Sequence, residues 1–199
     1  MTDIKCVIFD VGGVLLKEKI DVVHDSVNKE LGKKVFDRTD ALHKKLLVGK
    51  ISEKDFFKTL SKKYDIPAKT LLVLSDEKYL KIAKINTDSL NVANRLKKNG
   101  YKLCILSNVT SLHKNYGHIM ELYTNFDHRV LSCDIGAMKP HVKIFRTALK
   151  VTGSKPSECI YIEDRKEFLE TPKKLGFNVI HFKDAKQLIK DLRKFGVKI

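Results

Sequence analysis

The strongest constraint on this chain is an alternation of two textures. Short apolar runs at 4–9, 103–106, 129–131, 159–162 and 178–182 are separated by stretches with helical periodicity. A run that is apolar at successive positions suits a strand buried on both faces, as in a parallel sheet. Between the runs, Ala185, Leu188, Ile189 and Leu192 repeat at i, i+3, i+4 and i+7, one face of an amphipathic helix. Leu90, Ala93 and Leu96 form a second stripe, with Thr87 or Asp88 placed to cap its start and Gly100 to end it. Phe145, Ala148 and Leu149 mark a third, closed by Gly153. From about residue 87 onward the repeat of strand and helix predicts a doubly wound parallel α/β sheet.

Residues 18–86 have no strand signal. Ser52 precedes Glu53 and Asp55, and then Phe56, Leu60 and Tyr64 repeat at i, i+4 and i+8, an N-cap followed by an apolar stripe. Pro67 separates that helix from the next. The expected organisation is therefore an α/β core built from 1–17 and 87–199, with a helical insertion at 18–86 after the first strand.

Composition bounds the partners. A chain of 199 residues is long enough to bury one full core without disulfide staples. Its net charge of +15 raises the question of a nucleic-acid partner. However, 33 of the 39 basic residues are Lys, spread in pairs such as Lys33-Lys34 and Lys97-Lys98, which reads as solvated helix faces. The expectation is no nucleic-acid partner. Runs such as Cys6-Val7-Ile8-Phe9 are far shorter than the ~20 residues a bilayer span needs. Asp10 interrupts the only apolar stretch near the start, so no leader is expected either. Cys6, Cys104, Cys133 and Cys159 have no Cys-x-x-Cys spacing, which argues against zinc. Cys6, Cys104 and Cys159 lie in or beside predicted strands and read as reduced core residues of a cytoplasmic protein.

Ligands of an open parallel sheet bind beyond the carboxyl ends of the strands. Four polar clusters stand at such ends: Asp10-Val11-Gly12-Gly13, Ser107-Asn108, Met138-Lys139-Pro140 and Glu163-Asp164. Each alone has a bland reading as a turn or a helix cap, since Pro suits a first turn and acidic residues favour a helix N-terminus. Together they bring carboxylates, a hydroxyl, an amide and a lysine to one sheet edge.

This constellation resembles the haloacid dehalogenase-like hydrolase superfamily, in its phosphatase-rich branch with a helical cap after the first motif. Phe9-Asp10-Val11-Gly12-Gly13-Val14-Leu15 is similar to motif one, Leu106-Ser107-Asn108 to motif two, Lys139-Pro140 to motif three and Tyr161-Ile162-Glu163-Asp164-Arg165 to motif four. Gly49 through Phe56 is similar to a cap-helix signature of that branch. The Leu106-to-His113 spacing and the Met-Lys-Pro turn are similar to those of bacterial α-D-glucose-1-phosphate phosphatases. The resemblance implies a Rossmann-like core with the first strand central, and a Mg²⁺-dependent phosphatase acting on a small phosphorylated metabolite. It implies Asp10 as nucleophile, forming an aspartyl-phosphate, and Lys139 as the cation that neutralises Asp10 and the phosphoryl group. Ser107 and the amides around Val11, Gly12 and Asn108 would bind phosphate. Asp10, the Gly12 carbonyl, Asp164 and Glu163 would hold Mg²⁺. Glycines at 12 and 13 would allow close backbone approach.

Two positions depart from the family pattern. Its phosphatases carry an acid–base Asp two residues after the nucleophile, and here that position is Gly12. The departure predicts slow turnover, a substrate with a good leaving group such as a sugar 1-phosphate, or a substitute acid drawn from His141, Glu18 and His113. Four residues after Asp164, where relatives support the metal with Asn or Asp, stands Phe168. These departures keep two other readings open: a non-catalytic binding or regulatory protein, and a metal-free dehalogenase, which needs no second Asp. The acidic pair at 163–164 argues against the dehalogenase.

Overall fold

The structure, a computed structural model, describes residues 3–18, 20–37 and 39–199. Among them are five strands: β1 Cys6–Phe9, β2 Lys102–Ser107, β3 His128–Leu131, β4 Cys159–Glu163 and β5 Asn178–His181. All pair in parallel, in the order β3-β2-β1-β4-β5, with β1 central. The sheet is thus the expected one. Strand limits differ by a residue or two because pairing sets them: β2 begins at Lys102 opposite Cys6, and β4 runs through Glu163 opposite His181.

Side chains alternate between the sheet faces. Val7, Phe9, Leu103, Ile105, Ile160 and Ile162 enter one core. Cys6, Ile8, Cys104, Leu106, Cys159 and Tyr161 enter the other. Helices cover both: α5 Thr87–Lys98 and α11 Ala185–Lys194 pack on the first, and α9 Val142–Thr152 with α10 Glu170–Lys174 on the second. Three short helices, α6 Ser111–Lys114, α7 Gly117–Thr124 and α8 Ser132–Ile135, connect β2, β3 and α9. All four cysteines are free thiols, and Cys6, Cys104 and Cys159 are buried. No helix of the described residues is long and apolar enough to cross a membrane.

Four helices follow β1: α1 Ile20–Leu31, α2 Ala41–Leu47, α3 Glu53–Tyr64 and α4 Ala68–Ile82. They share an apolar cluster of their own, centred on Val27, Phe36, Phe56, Leu60 and Leu71. Ser52 caps α3 as expected, accepting from the Asp55 N–H at 3.1 Å. The chain leaves for these helices and returns from them side by side: Leu16 bridges Ile85, and the Lys17 N–H donates to the Lys84 carbonyl at 2.9 Å.

One cap expectation needs correction. α5 starts from Asn86, not Thr87 or Asp88. The Asn86 side chain accepts from the Ser89 N–H and donates to the Val14 carbonyl at 3.1 Å, so it caps the helix and anchors the turn after β1 at once.

Candidate active site

The residues after β1 form a compact turn. The N–H groups of Val14, Leu15 and Leu16 all point at the Val11 carbonyl. Gly13 takes a φ of +77°, which favours glycine, and a Cβ there would sit 2.5 Å from Asp164 Oδ2. Gly13 is therefore the floor on which the Asp164 carboxylate rests. Gly12 is different. Its φ is not in the left-handed region, and a Cβ built on it meets no atom within 4 Å. Within the protein itself, the close contact is made at Gly13.

Asp10, just past β1, is 6% exposed. Its Oδ1 lies 2.7 Å from Lys139 Nζ, and the same Nζ lies 2.7 Å from Glu163 Oε2. Lys139 is 1% exposed and reaches the site from the loop before α9. Asn108 fixes that loop. Its side-chain oxygen accepts from the Lys139 N–H at 2.8 Å, and its side-chain nitrogen donates to the Lys139 carbonyl at 3.2 Å. The Asn108 side chain thus positions the lysine, a function its place after β2 did not reveal.

Glu163 and Asp164 divide along the strand. Glu163 is the last residue of β4, fully buried, on the same face as Tyr161 two residues earlier. It accepts from Lys139 Nζ, from the Tyr161 hydroxyl and from the Arg165 N–H. Asp164 is the first residue off the strand. Asp10, Glu163 and Asp164 each bring a carboxylate oxygen within 4.8 Å of the others.

Charge in this cluster is unbalanced. Burial opposes the charged form of Lys139, but Asp10 and Glu163 outweigh it and raise its pKa, so it is an ammonium. Burial also opposes ionisation of Glu163, yet Lys139 and the hydrogen bonds hold it down to about 2. Asp10 is left pushed up to about 8, by burial first and then by the Glu163 charge, against the pull of Lys139. One lysine cannot neutralise two buried carboxylates with a third beside them. The cluster lacks positive charge, and its donors are hard carboxylate oxygens. That chemistry fits a magnesium ion.

The cleft around Asp10 includes Val11, Gly12, Ser107, Asn108, Lys139, Arg165 and Phe168, and has a cavity volume of about 90 Å³. Phe168 takes the place expected to support a metal and does something else. Its ring stands 5.2 Å from Lys139 Nζ, a cation–π contact that covers the lysine. Arg165 pairs with Asp21 of α1, joining the loop after β4 to the helical segment.

The three residues named as substitute acids separate. His141 does not line the cleft; it caps α9, its Nδ1 accepting from the Lys143 N–H. His113 lines the cleft, but burial, reinforced by His43, lowers its pKa to about 3, so it is neutral at pH 7. Its ring lies flat on Tyr79, centroids 4.1 Å apart. Glu18 lines the cleft and is exposed.

The segment 49–56 proves to be an anchor. Gly49 turns at φ +66° so close to the Cys133 carbonyl that a Cβ would lie 2.5 Å from it. Glu53 accepts from the Leu112 N–H at 2.7 Å and the Ser111 hydroxyl at 2.5 Å, capping α6 across the chain.

A parallel sheet of order 3-2-1-4-5 that gathers an aspartate, a lysine and an acidic pair at its carboxyl edge is a Rossmann-like α/β core. The sequence profile of the haloacid dehalogenase-like hydrolases matches residues 4–176, and the chain belongs to that family. A predicted HAD-like family hydrolase from Porphyromonas gingivalis superposes with a TM-score of 0.78 at 22% identity, covering 100% of both chains. A HAD family enzyme from Bacteroides thetaiotaomicron, solved with magnesium and inorganic phosphate, superposes at 0.70 with 22% identity, covering 91% of this chain and 95% of that one. These likenesses concern the fold. Among curated relatives, glyceraldehyde 3-phosphate phosphatase of Pyrococcus furiosus is 36% identical over 101 residues, 49% of this chain and 42% of its own. Bifunctional epoxide hydrolase 2 of Sus scrofa is 30% identical over 123 residues, 59% of this chain and 22% of its own. The matched stretches span less than half the length of these curated relatives.

Proposed function

We propose that the protein is a Mg²⁺-dependent phosphatase of small phosphomonoesters that works through an aspartyl-phosphate on Asp10. The observation that carries this reading is the Asp10–Lys139–Glu163 triad beside Asp164, buried and short of positive charge. Asp10, the Gly12 carbonyl and Asp164 are the residues suited to hold the ion. Glu163 accepts from Lys139, Tyr161 and the Arg165 N–H, so its role in this reading is to hold Lys139 rather than to ligate. When bound, Mg²⁺ supplies the missing positive charge, keeping Asp10 ionised and offsetting phosphate charge.

The steps of the chain's own groups follow. An Asp10 oxygen attacks phosphorus, and the bond from phosphorus to the ester oxygen breaks with its electron pair leaving on that oxygen. Lys139, Ser107 and the backbone N–H groups of Val11, Gly12 and Asn108 hold the phosphoryl oxygens. Water then cleaves the aspartyl-phosphate, returning the Asp10 carboxylate and inorganic phosphate. Gly12 gives no proton to the leaving oxygen, so an ester with a good leaving group is favoured over a simple alkyl phosphate. Residues 18–86 act as a cap that closes the cleft, anchored through Glu53 and through Asp21–Arg165.

The test is phosphate release from p-nitrophenyl phosphate with Mg²⁺, with EDTA and with Asp10→Asn. Metal-dependent release lost in Asp10→Asn is the expected outcome. Release equal to that of the variant, at high enzyme concentration, would overturn the reading and favour a binding protein.

A further inference from the structure

The proposed chemistry uses one side of the cleft only. Charges and hydrogen-bond donors come from the sheet edge. The turn after β1 and helices α1, α2 and α4 contribute a different lining: Leu16, Ile20, Val23, Leu47, Tyr79 and Ile82. Holding a phosphate needs none of these side chains. Two polar groups beside them are already engaged. The Thr110 hydroxyl accepts from the His113 N–H at 3.2 Å, and the neutral His113 ring is stacked on Tyr79. Glu18 adds only a carboxylate, which repels a second anionic group.

A sugar entering here would lay hydroxyls against aliphatic side chains. Each hydroxyl stripped of water without a partner lowers affinity by on the order of tenfold. An apolar group gains from the same wall. An independent observation narrows its nature. Position 12 carries no acid, so no proton reaches the ester oxygen from there. A phenolate tolerates this far better than an alkoxide. A phenolic ring satisfies both conditions together.

Resting on the phosphatase reading, we infer that the substrate is the phosphomonoester of an aromatic hydroxyl, with its ring on the apolar wall beside Tyr79 and its phosphate between Asp10 and Lys139. The phosphorus–oxygen bond breaks to give the phenolate, which takes its proton from solvent. The phosphoryl group passes to Asp10 and then to water.

The experiment compares kcat/KM for phenyl phosphate, 1-naphthyl phosphate, glucose 1-phosphate and glucose 6-phosphate, with Mg²⁺ and the whole chain. Phenol and 1-naphthol are similar leaving groups, so the first pair isolates contact with the wall. The second ring should raise kcat/KM by about tenfold, and both aryl esters should exceed both sugar phosphates by roughly a hundredfold. Ile82→Asn and, separately, Ile20→Asn should bring the naphthyl-to-phenyl ratio close to one. Glucose 1-phosphate turned over as fast as 1-naphthyl phosphate, or a wild-type ratio of one, overturns the inference and leaves the phosphatase reading standing. If no ester releases phosphate above Asp10→Asn, the phosphatase reading fails instead. Calorimetry then decides the wall by itself: tenfold tighter binding of 1-naphthyl than of phenyl phosphate supports it, and equal binding overturns it.

Discussion

Gly12→Asp tests whether position 12 limits the chemistry. The position accepts a side chain, since its Cβ would meet no atom within 4 Å and its φ is not in the left-handed region. Replacing a glycine at such a site stabilises by about 0.4–1 kcal/mol through the unfolded chain. Charge acts in the opposite direction. Three carboxylates already bring their oxygens within 4.8 Å of one another. A fourth at roughly 6 Å repels each one that is ionised by about 3 kcal/mol at an effective dielectric near 20. The variant should therefore be less stable than wild type in EDTA and should recover with Mg²⁺. In catalysis a positioned general acid is worth about 10²–10⁴-fold, and nearly all of it accrues to poor leaving groups. For an alkyl phosphate, kcat/KM should rise by roughly 10²-fold or more, whereas p-nitrophenyl phosphate should change little. The assay is phosphate release across esters of graded leaving-group acidity. The logarithm of kcat/KM should fall steeply with leaving-group pKa in wild type and shallowly in Gly12→Asp. Gly12→Asn, equal in size but with no proton to give, should keep the wild-type slope. Equal slopes in wild type and Gly12→Asp, with metal-dependent activity in both, would refute the reasoning.

Gly13→Ala should cost about 1–3 kcal/mol of stability and weaken Mg²⁺ binding, because its Cβ would stand 2.5 Å from Asp164 Oδ2 at a φ of +77°; an unchanged calorimetric affinity would contradict this. Lys139→Met leaves Asp10 and Glu163 buried without their shared cation and should destabilise by about 3–5 kcal/mol at pH 7 in EDTA. That loss should shrink in acid as the carboxylates take up protons, a trend that urea denaturation at pH 7 and pH 5 would reveal. Burial lowers the His113 pKa to about 3, against roughly 6.5 in an unfolded chain. Its contribution to stability is therefore complete above pH 6.5 and declines as the pH falls toward 3, by up to about 1.4 kcal/mol per pH unit. His113→Gln should remove about 2 kcal/mol of the stability difference between pH 7 and pH 5; an unaltered difference would show that His113 is not held neutral.

Much of this architecture is legible because strand signals in a parallel sheet are contiguous and local. The five apolar runs become five strands, and Ser52, Gly153 and Pro67 punctuate helices as their chemistry requires. What is not legible depends on partners distant in sequence. Asn86 outcompetes Thr87 and Asp88 as a cap because the Val14 carbonyl, 72 residues away, also needs its amide. Phe57 is as buried as Phe56 because α3 is covered on two sides, whereas the stripe through Phe56, Leu60 and Tyr64 describes one side only. Gly12 and Gly13 are chemically identical neighbours. Only the turn onto the Val11 carbonyl, and the Asp164 carboxylate above it, makes one obligatory and the other replaceable.

The same distinction separates chemistry from specificity in this site. Strand parity sends Glu163 inward with Tyr161 to secure Lys139 and leaves Asp164 at the edge. That division is carried by two adjacent letters and one strand end. The apolar wall has no comparable signature. Ile20 and Val23 line the cleft while Val27, on the same helix α1, enters the helical segment's own core. In sequence all three read alike, as one amphipathic stripe. Residues that handle phosphate stand at fixed strand ends because the reacting atoms demand fixed geometry. Residues that receive the rest of a substrate need only present a surface, so they are drawn from whichever helix faces pass over the cleft. On the proposed reading the wall, more than the motifs, selects the substrate, and the naphthyl-to-phenyl ratio addresses it directly.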